Sequence, residues 1–143
     1  MRRALSLAQS ASDIDEVPVG ALIVRNGQVL AEGFNQREKK FSVLSHAELE
    51  AIQIANQKLM SWRLAGCTLY VTLEPCIMCA GAIYQSRIER VVFGAMDPKA
   101  GATGSLYNIQ TDERLNHRFQ VTSGVLGDEC GQILKDFFRK KRI

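Results

Sequence analysis

The sequence has few of the residues that hold metals or cross-link chains. Its 143 residues include two histidines and four cysteines, and the cysteines contain a single Cys-x-x-Cys pair. No second pair is present to close a structural site of four cysteines, which argues against such a site. No apolar run approaches the roughly 20 residues of a membrane helix, so we expect no contact with a membrane.

Strong charge of either sign is also missing. Eighteen basic and 15 acidic residues give a formal charge of +3, which permits nucleic-acid binding without demonstrating it. The basic run Arg139-Lys140-Lys141-Arg142 is either a solvated helix end or a patch that contacts phosphates. The first residues lack the long apolar core of a signal peptide, and we therefore expect a cytoplasmic protein.

The apolar patterns predict an α/β fold. A composition of 46% hydrophobic and 23% charged residues is typical of a globular protein, and we expect a single domain over residues 1–143. Helix-like segments alternate with short β-branched runs, which predicts a three-layer α/β/α fold with a mixed five-stranded sheet. The predicted helices span 2–14, 45–60, 75–85 and 127–142, and the predicted strands span 17–24, 28–32, 68–73, 90–94 and 119–122.

Two local signals refine this prediction. Asn26-Gly27 between the first two strands is typical of a tight hairpin turn. The connection between strands 68–73 and 90–94 is long enough for a helical crossover, so these strands should pair in parallel.

The Cys-x-x-Cys pair is the strongest candidate for chemistry. Cys76 and Cys79 follow Pro75 at the expected start of a helix, where spacing of three places both thiols on one face and the helix dipole favours thiolates. Two thiolates with one imidazole from His46 suit Zn²⁺ and leave a fourth position open, as in catalytic sites. The alternative is thioredoxin-like redox chemistry, but a dithiol needs no His-x-Glu partner.

Glu48 is the candidate proton carrier. With Ser45 as the N-cap, Glu48 also has the spacing of a capping box, which would give it a structural role instead. Positions i and i+2 lie about 200° apart around a helix. His46 and Glu48 can therefore share a site only beyond the helix start, so the starts of the two helices must converge there. At such a site a carboxylate can take a proton from water and pass it to a substrate nitrogen.

These motifs resemble the signature of the zinc-dependent nucleobase deaminases, with His46-Ala47-Glu48 and Pro75-Cys76-Ile77-Met78-Cys79 in the matching places. Within that superfamily, further stretches along nearly the whole chain resemble the bacterial tRNA adenosine deaminases. These stretches are Glu16–Gly20, Trp62–Leu64, Thr68–Glu74, Cys79–Ala82, Ser86–Ile88, Gly104–Leu106, Asn116–Arg118 and Asp136–Arg139.

The resemblance implies a cytidine deaminase-like fold and a specific reaction. Adenosine at the wobble position of tRNA would be converted to inosine by a zinc-activated hydroxide. One zinc ion per subunit would be held by His46, Cys76 and Cys79, with Glu48 as the proton shuttle. A homodimer that binds the tRNA anticodon stem-loop is implied as well.

The resemblance also implies a set of substrate contacts. Asn35 would hydrogen-bond the target nucleoside, and Val19 and Ala47 would form the walls of the base pocket. The rim that holds flanking nucleotides would comprise Asp97, Lys99, Asn116, Phe138 and Arg139. Two of these have other interpretations, because Phe138 lies on the apolar stripe of the last helix and Asp97-Pro98 also fits a turn.

Two other functions stay open from the sequence. The first is a deaminase of a free base or nucleotide, such as guanine, cytosine or deoxycytidylate, which would use the same zinc site. The second is a non-catalytic RNA-binding module with structural zinc. The basic last helix favours a macromolecular substrate. The residues before His46, Ser42-Val43-Leu44-Ser45, depart from the Asp-Pro-Thr-Ala of many family members, which leaves the shape of this loop open.

Overall fold

A computed structural model describes residues 1–142. Within these residues, four α-helices, five strands and one short 3-10 helix follow one another as α1, β1, β2, α2, β3, α3, β4, the 3-10 helix, β5 and α4. Their bounds are α1 Arg2–Asp13, β1 Gly20–Arg25, β2 Gln28–Phe34, α2 Ala47–Leu59, β3 Cys67–Leu73, α3 Ile77–Ser86, β4 Arg90–Ala95, the 3-10 helix Ile109–Thr111, β5 Gln120–Thr122 and α4 Gly127–Lys141.

The five strands form one mixed sheet in the order β2-β1-β3-β4-β5. β1 pairs antiparallel with β2 and β3, while β3, β4 and β5 run parallel. Asn26 and Gly27 connect β1 to β2 with φ angles of 52° and 74°, both in the left-handed region that a tight hairpin turn requires. The predicted mixed sheet and the parallel pairing of β3 with β4 are confirmed.

The sheet carries helices on both faces, as the three-layer prediction requires. On one face, alternate strand residues such as Ile23, Val71 and Phe93 pack with the alanines of α2 and with Ile83 of α3. On the other face, Leu22 packs against Ala4 and Leu7 of α1. Helix α4 lies beside α1 on this second face and covers β4. None of the helices within residues 1–142 is both long and apolar enough to span a membrane.

Helix α2 lies very close to β2, and this contact positions the start of the helix. A Cβ atom placed on Gly33 would lie 2.6 Å from the carbonyl oxygen of Ala47 and 2.8 Å from the amide nitrogen of Ala51. Such distances are well inside van der Waals contact, so only glycine lets the helix backbone approach this strand. The first turn of α2 is thereby held against the sheet.

Candidate active site

The start of α2 differs from its predicted form. The helix begins at Ala47 with His46 as its N-cap, and no side-chain hydrogen bond caps it. The predicted Ser45 cap with Glu48 as its capping-box partner is wrong. Ser45 is buried, and its carbonyl oxygen accepts the N–H of Gln36, which ties the preceding loop to the helix start. Because neither side chain caps the helix, those of His46 and Glu48 remain free for other contacts at the N-terminal end of α2.

The start of α3 also lies slightly further along the chain than predicted. The helix begins at Ile77 rather than at Pro75, and Cys76 is its N-cap in an extended conformation. Cys79 is the third helical residue and is fully buried. Both thiols therefore lie at the N-terminal end of α3, where the helix dipole favours negative charge.

The two helix starts meet as the sequence predicted. The Nδ1 atom of His46 lies 3.6 Å from Sγ of Cys76 and 3.5 Å from Sγ of Cys79. All three potential ligand atoms lie within 4.8 Å of one another. Ligands at ordinary zinc–nitrogen and zinc–sulfur bond lengths with tetrahedral angles would be separated by about 3.6 Å. The cluster therefore has the donor types and the spacing that a metal ion requires.

The pKa values of the two thiols are shifted in opposite directions. Interaction with the Cys79 thiol, together with a hydrogen bond from His46, lowers the pKa of Cys76 to about 4 despite its partial burial. The neighbouring Cys76 and deep burial raise the pKa of Cys79. The Cys76 side chain also raises the pKa of His46. The start of α3 thus favours a thiolate at Cys76, which is the form of cysteine that binds a metal ion.

Glu48 is buried next to this cluster, with only 4% of its surface exposed. Burial raises its pKa to about 7, and the negative Cys76 thiolate adds to this effect, while a hydrogen bond from its own backbone N–H and the charge on His46 oppose it. A carboxyl group that titrates near neutral pH can both accept and release a proton, as acid–base catalysis requires.

A cavity of about 170 Å³ opens above the cluster. It is lined by His46, Cys76 and Glu48, and by four of the eight predicted substrate contacts: Val19, Asn35, Ala47 and Asp97. Its wall also includes residues without a predicted substrate role, namely Val17, Arg37, Leu73, Glu74 and Ala100. The structure therefore brings together the candidate metal ligands, the candidate proton carrier and the inner part of the predicted base pocket.

Asn35 is held in a fixed orientation at the cavity wall. Its Nδ2 donates to the carbonyl oxygen of Val17 at 3.2 Å, and its Oδ1 accepts the N–H of Arg37 at 3.2 Å. These bonds use one of the two amide protons and one acceptor site. The second proton and the second lone pair remain to contact a ligand.

Three of the five predicted rim residues, Asn116, Phe138 and Arg139, lie outside the cavity wall. Asn116 is exposed, and its Oδ1 accepts a hydrogen bond from the Tyr84 hydroxyl of α3. Phe138 is 43% exposed with its ring edge-on to the buried Phe137, so its interpretation as a core residue is wrong. Arg139 is exposed and pairs with Asp136 at 3.6 Å on the same helix.

The other two rim residues belong to the loop after β4. Asp97 Oδ1 accepts the N–H groups of Lys99 and Ala100, both at 3.2 Å, so the turn interpretation of Asp97-Pro98 is confirmed. Asp97 nevertheless lines the cavity, whereas Lys99 is exposed beyond it.

Glu74 was not assigned a role from the sequence, and it organises this loop. Its carboxylate is 2% exposed. It accepts the N–H groups of Asp97, Thr103 and Ser105 at 2.9 to 3.1 Å, and also the Ser105 hydroxyl. Burial alone would raise the pKa of Glu74, but these hydrogen bonds outweigh it and lower the pKa. The signal in the sequence was a glutamate directly after the apolar strand β3. A buried charge at such a position needs hydrogen-bond partners.

Glu16 has the equivalent role for the loop before α2. It is buried, and its two carboxylate oxygens accept the N–H of Glu38 at 3.1 Å and the N–H of Lys39 at 2.7 Å. The two loops that border the cavity are therefore each tied to a buried carboxylate. A second, more polar groove adjoins the cavity at Val17, Asn35 and Arg37 and extends to Phe137 and Lys141 of α4.

Comparison with known proteins places the chain in a family. Residues 1–142 match the model of the MafB19-like deaminases. The tRNA-specific adenosine deaminase of Bacillus subtilis (strain 168) is 51% identical over 142 residues, which cover 99% of this chain and 88% of that protein.

Two solved structures give further similarity. One comes from studies of A-to-I editing by tRNA deaminases at the wobble position of transfer RNA; it has a TM-score of 0.91 and 43% identity, with 94% of this chain and 97% of that chain covered. A guanine deaminase from Bacillus subtilis has a TM-score of 0.64 and 38% identity, with 66% of this chain and 61% of that chain covered. With the His46–Cys76–Cys79 cluster and Glu48 in place, the chain belongs to the bacterial tRNA-specific adenosine deaminases, within the MafB19-like deaminases.

Proposed function

We propose that the protein deaminates adenosine to inosine at the wobble position of tRNA. In this hydrolysis the bond between C6 and its amino nitrogen breaks, a C6–oxygen bond forms and ammonia leaves. The observation that carries the proposal is the buried Glu48 beside the His46–Cys76–Cys79 cluster at the floor of a cavity. Full-length similarity to tRNA-specific adenosine deaminases supports the substrate.

One zinc ion per subunit belongs to this proposal. His46, Cys76 and Cys79 would hold it, and the low pKa of Cys76 provides a thiolate for the purpose. Bound zinc would supply a water that ionises near neutral pH. Three protein ligands leave one position for that water, as catalytic zinc sites do.

Glu48 moves the protons of the reaction. It takes a proton from the attacking water, passes it to N1 of adenine and then supplies a proton to the departing amine. A raised pKa of about 7 suits this double role, because each transfer is then nearly balanced in energy at neutral pH.

The inner wall of the cavity holds the base. Val19 and Ala47 supply apolar surface, and Asn35 supplies its unused amide proton and lone pair. The N–H of Ala47 belongs to the first turn of α2, which has no acceptor within the helix, and it can donate to the substrate. Since the target atom is inaccessible in a stacked base, the adenosine must be turned out of the anticodon loop to enter.

The outer contacts would come from the rim residues and a second subunit. Asp97, Lys99, Asn116, Phe138 and Arg139 remain our candidates for flanking nucleotides of the anticodon stem-loop. The exposed ring of Phe138 beside the basic end of α4 suits stacking next to phosphates. We include a homodimer and, because tRNA is the substrate, a cytoplasmic location.

The decisive experiment compares substrates. The zinc-loaded protein is incubated with an anticodon stem-loop RNA that carries adenosine at the wobble position, and in parallel with free adenosine, guanine, cytosine and deoxycytidylate. Inosine in the RNA is the expected product. Activity on free bases alone would overturn the tRNA proposal in favour of the second candidate, which the 38% identity to a guanine deaminase supports.

A non-catalytic zinc module is the remaining alternative. It gives no reason for a proton carrier with a shifted pKa at the floor of a cavity. Protein that contains stoichiometric zinc and binds the stem-loop, but produces no inosine under any of these conditions, would support that alternative.

A further inference from the structure

The loop that leads to His46 leaves large apolar side chains in solvent. Phe41 is 96% exposed, and Val43 and Leu44 are 66% and 56% exposed. Large apolar side chains exposed together in one loop are typical of interaction sites on proteins. This loop, residues 36–44, also contains three of the four residues that depart from the common family sequence, Ser42, Val43 and Leu44, and the base pocket gives them no role.

The backbone of the loop is held in place by hydrogen bonds. Glu16 accepts two of its backbone N–H groups, as described above, and the N–H groups of Phe41 and Ser42 donate to the carbonyl oxygens of Glu38 and Arg37 at 3.2 and 3.1 Å. Phe41 has a φ of 51°, a left-handed conformation that disfavours a bulky residue. The surrounding hydrogen bonds fix the backbone of the loop, so a ligand would not have to order that backbone.

Positive charge accompanies this ring. Residues 36–44 contain Arg37, Lys39 and Lys40 against one acidic residue, Glu38. Lys40 pairs with Glu50 of α2 at 2.8 Å, whereas the closest carboxylate to Arg37 is that of the exposed Glu38, at 3.8 Å. An exposed aromatic ring with adjacent cations is what binding of single-stranded nucleic acid requires.

The loop is continuous with the cavity. Arg37 lies in the cavity wall, and the loop ends at His46, which lines the same cavity. A nucleotide next to the one in the cavity can therefore reach this loop. We propose that loop 36–44 is a second nucleotide-binding element, in which Phe41 stacks on an unpaired base adjacent to the target and Arg37 contacts the linking phosphate. This inference rests on the proposed RNA substrate.

The test uses anticodon stem-loop RNAs with 2-aminopurine directly 5′ or directly 3′ of the target. Stacking on Phe41 should quench the fluorescence of one of them on binding to the zinc-loaded protein. Phe41→Ala should abolish this quenching and weaken binding about 5- to 100-fold, and Phe41→Trp should retain both. Arg37→Ala should reduce the dependence of binding on salt by about one counterion.

Met60→Ala is the matched control. Met60 is 92% exposed and has a φ of 50°, but it lies at the opposite end of α2. This variant should bind and quench like the parent. Melting temperature and zinc content should be unchanged in Phe41→Ala and Met60→Ala, because each of these side chains is almost fully exposed.

Other results would overturn the inference. One is unchanged quenching and affinity in Phe41→Ala; another is a loss of dimer in that variant by light scattering with RNA binding intact, which would mark a protein interface instead. Inosine formation tests the proposed function independently of the stacking. If the parent makes no inosine, that function fails, while fluorescence quenching still reports on the stacking.

Discussion

The two buried carboxylates of the cavity wall have opposite surroundings. Glu48 and Glu74 are 4% and 2% exposed, yet the pKa of Glu48 is raised to about 7 and that of Glu74 is lowered. Glu74 accepts four hydrogen bonds from the loop after β4, which stabilise its charge. Glu48 lies in the first turn of α2 beside the Cys76 thiolate, and few hydrogen-bond donors contact its carboxyl group.

This difference separates a structural role from a chemical one. Burial penalises the charged form of both groups, but hydrogen-bond donors decide whether that penalty is offset. A saturated carboxylate such as Glu74 has no capacity left to exchange protons at neutral pH. Glu48 keeps that capacity, so mutation of each carboxylate should affect a different property of the protein.

The largest effect should follow from removal of one of the candidate metal ligands beside Glu48. Cys76→Ala removes the thiolate and should lose nearly all bound zinc, with inosine formation below detection. Because metal binding is coupled to folding, the melting temperature should also fall. Metal analysis of purified protein measures the first effect, and Cys130→Ala is the control, since that buried thiol lies on α4 on the opposite face of the sheet. Full zinc content in Cys76→Ala would disprove the ligand assignment.

The next effect concerns Glu48 itself. Glu48→Gln preserves the shape of the side chain but cannot carry a proton. We expect inosine formation to fall by about 10² to 10⁴ while zinc content and melting temperature are retained. Single-turnover rates with saturating stem-loop RNA give the chemical step directly. A loss confined to KM, with turnover intact, would show that Glu48 binds substrate rather than moves protons.

Glu74→Gln should show the converse pattern, with a loss of stability first. An amide nitrogen must replace one carboxylate oxygen and would face at least one backbone N–H, which then lacks an acceptor. Such an unsatisfied buried donor costs about 1–3 kcal/mol of unfolding free energy. Chemical denaturation measures this cost against Glu89→Gln, an exposed glutamate on the loop before β4.

The activity of Glu74→Gln completes the contrast. Asp97 and the loop after β4 would shift, so we expect KM for the stem-loop to rise severalfold and turnover to change much less. If turnover instead fell as far as in Glu48→Gln, the separation between the two carboxylates would fail.

The sequence allowed the centre of this site to be predicted far better than its border. Cys76 and Cys79 follow a strand at a spacing of three, and His46 and Glu48 lie at another helix start. This local pattern predicts which residues carry the chemistry, and also that their side chains lie at the starts of two helices. The family and the fold predicted from these residues are confirmed. The roles of the individual site residues stay predictions, although the structure places the ligand set together.

The predicted starts of α2 and α3 were each two residues too early, for a physical reason, whereas those of α1 and α4 were correct. N-caps are recognised from side chains that bond the helix backbone, but His46 and Cys76 occupy these positions with their side chains turned to each other. The sequence signalled that Glu74 would need hydrogen-bond partners, but it did not show which ones, because these partners lie 23 to 31 residues later in the chain. Asn116 is placed by its contact with Tyr84 of α3, which no local pattern reveals.

The smallest effect expected is a dependence on pH that belongs to Glu74 alone. Its pKa is lower in the folded protein than the ordinary value of about 4.3 in the unfolded chain, so its charge stabilises the fold above that pH. As pH falls through the folded pKa, this contribution is lost, by at most about 1.4 kcal/mol per pH unit. The stability difference between the parent and Glu74→Gln should therefore be constant from pH 5 to 8 and shrink below about pH 4.

Metal content is measured at each pH, and the parent and Glu74→Gln are compared only where both contain the same amount of metal. Urea denaturation at several pH values, with Glu89→Gln as the control, measures the stability difference. A difference that grows as the pH falls would mean that the Glu74 carboxylate is destabilised by burial, as Glu48 is. In that case hydrogen bonding would not be what distinguishes the two groups, and Glu74 would have to be reconsidered as a second proton carrier in the cavity.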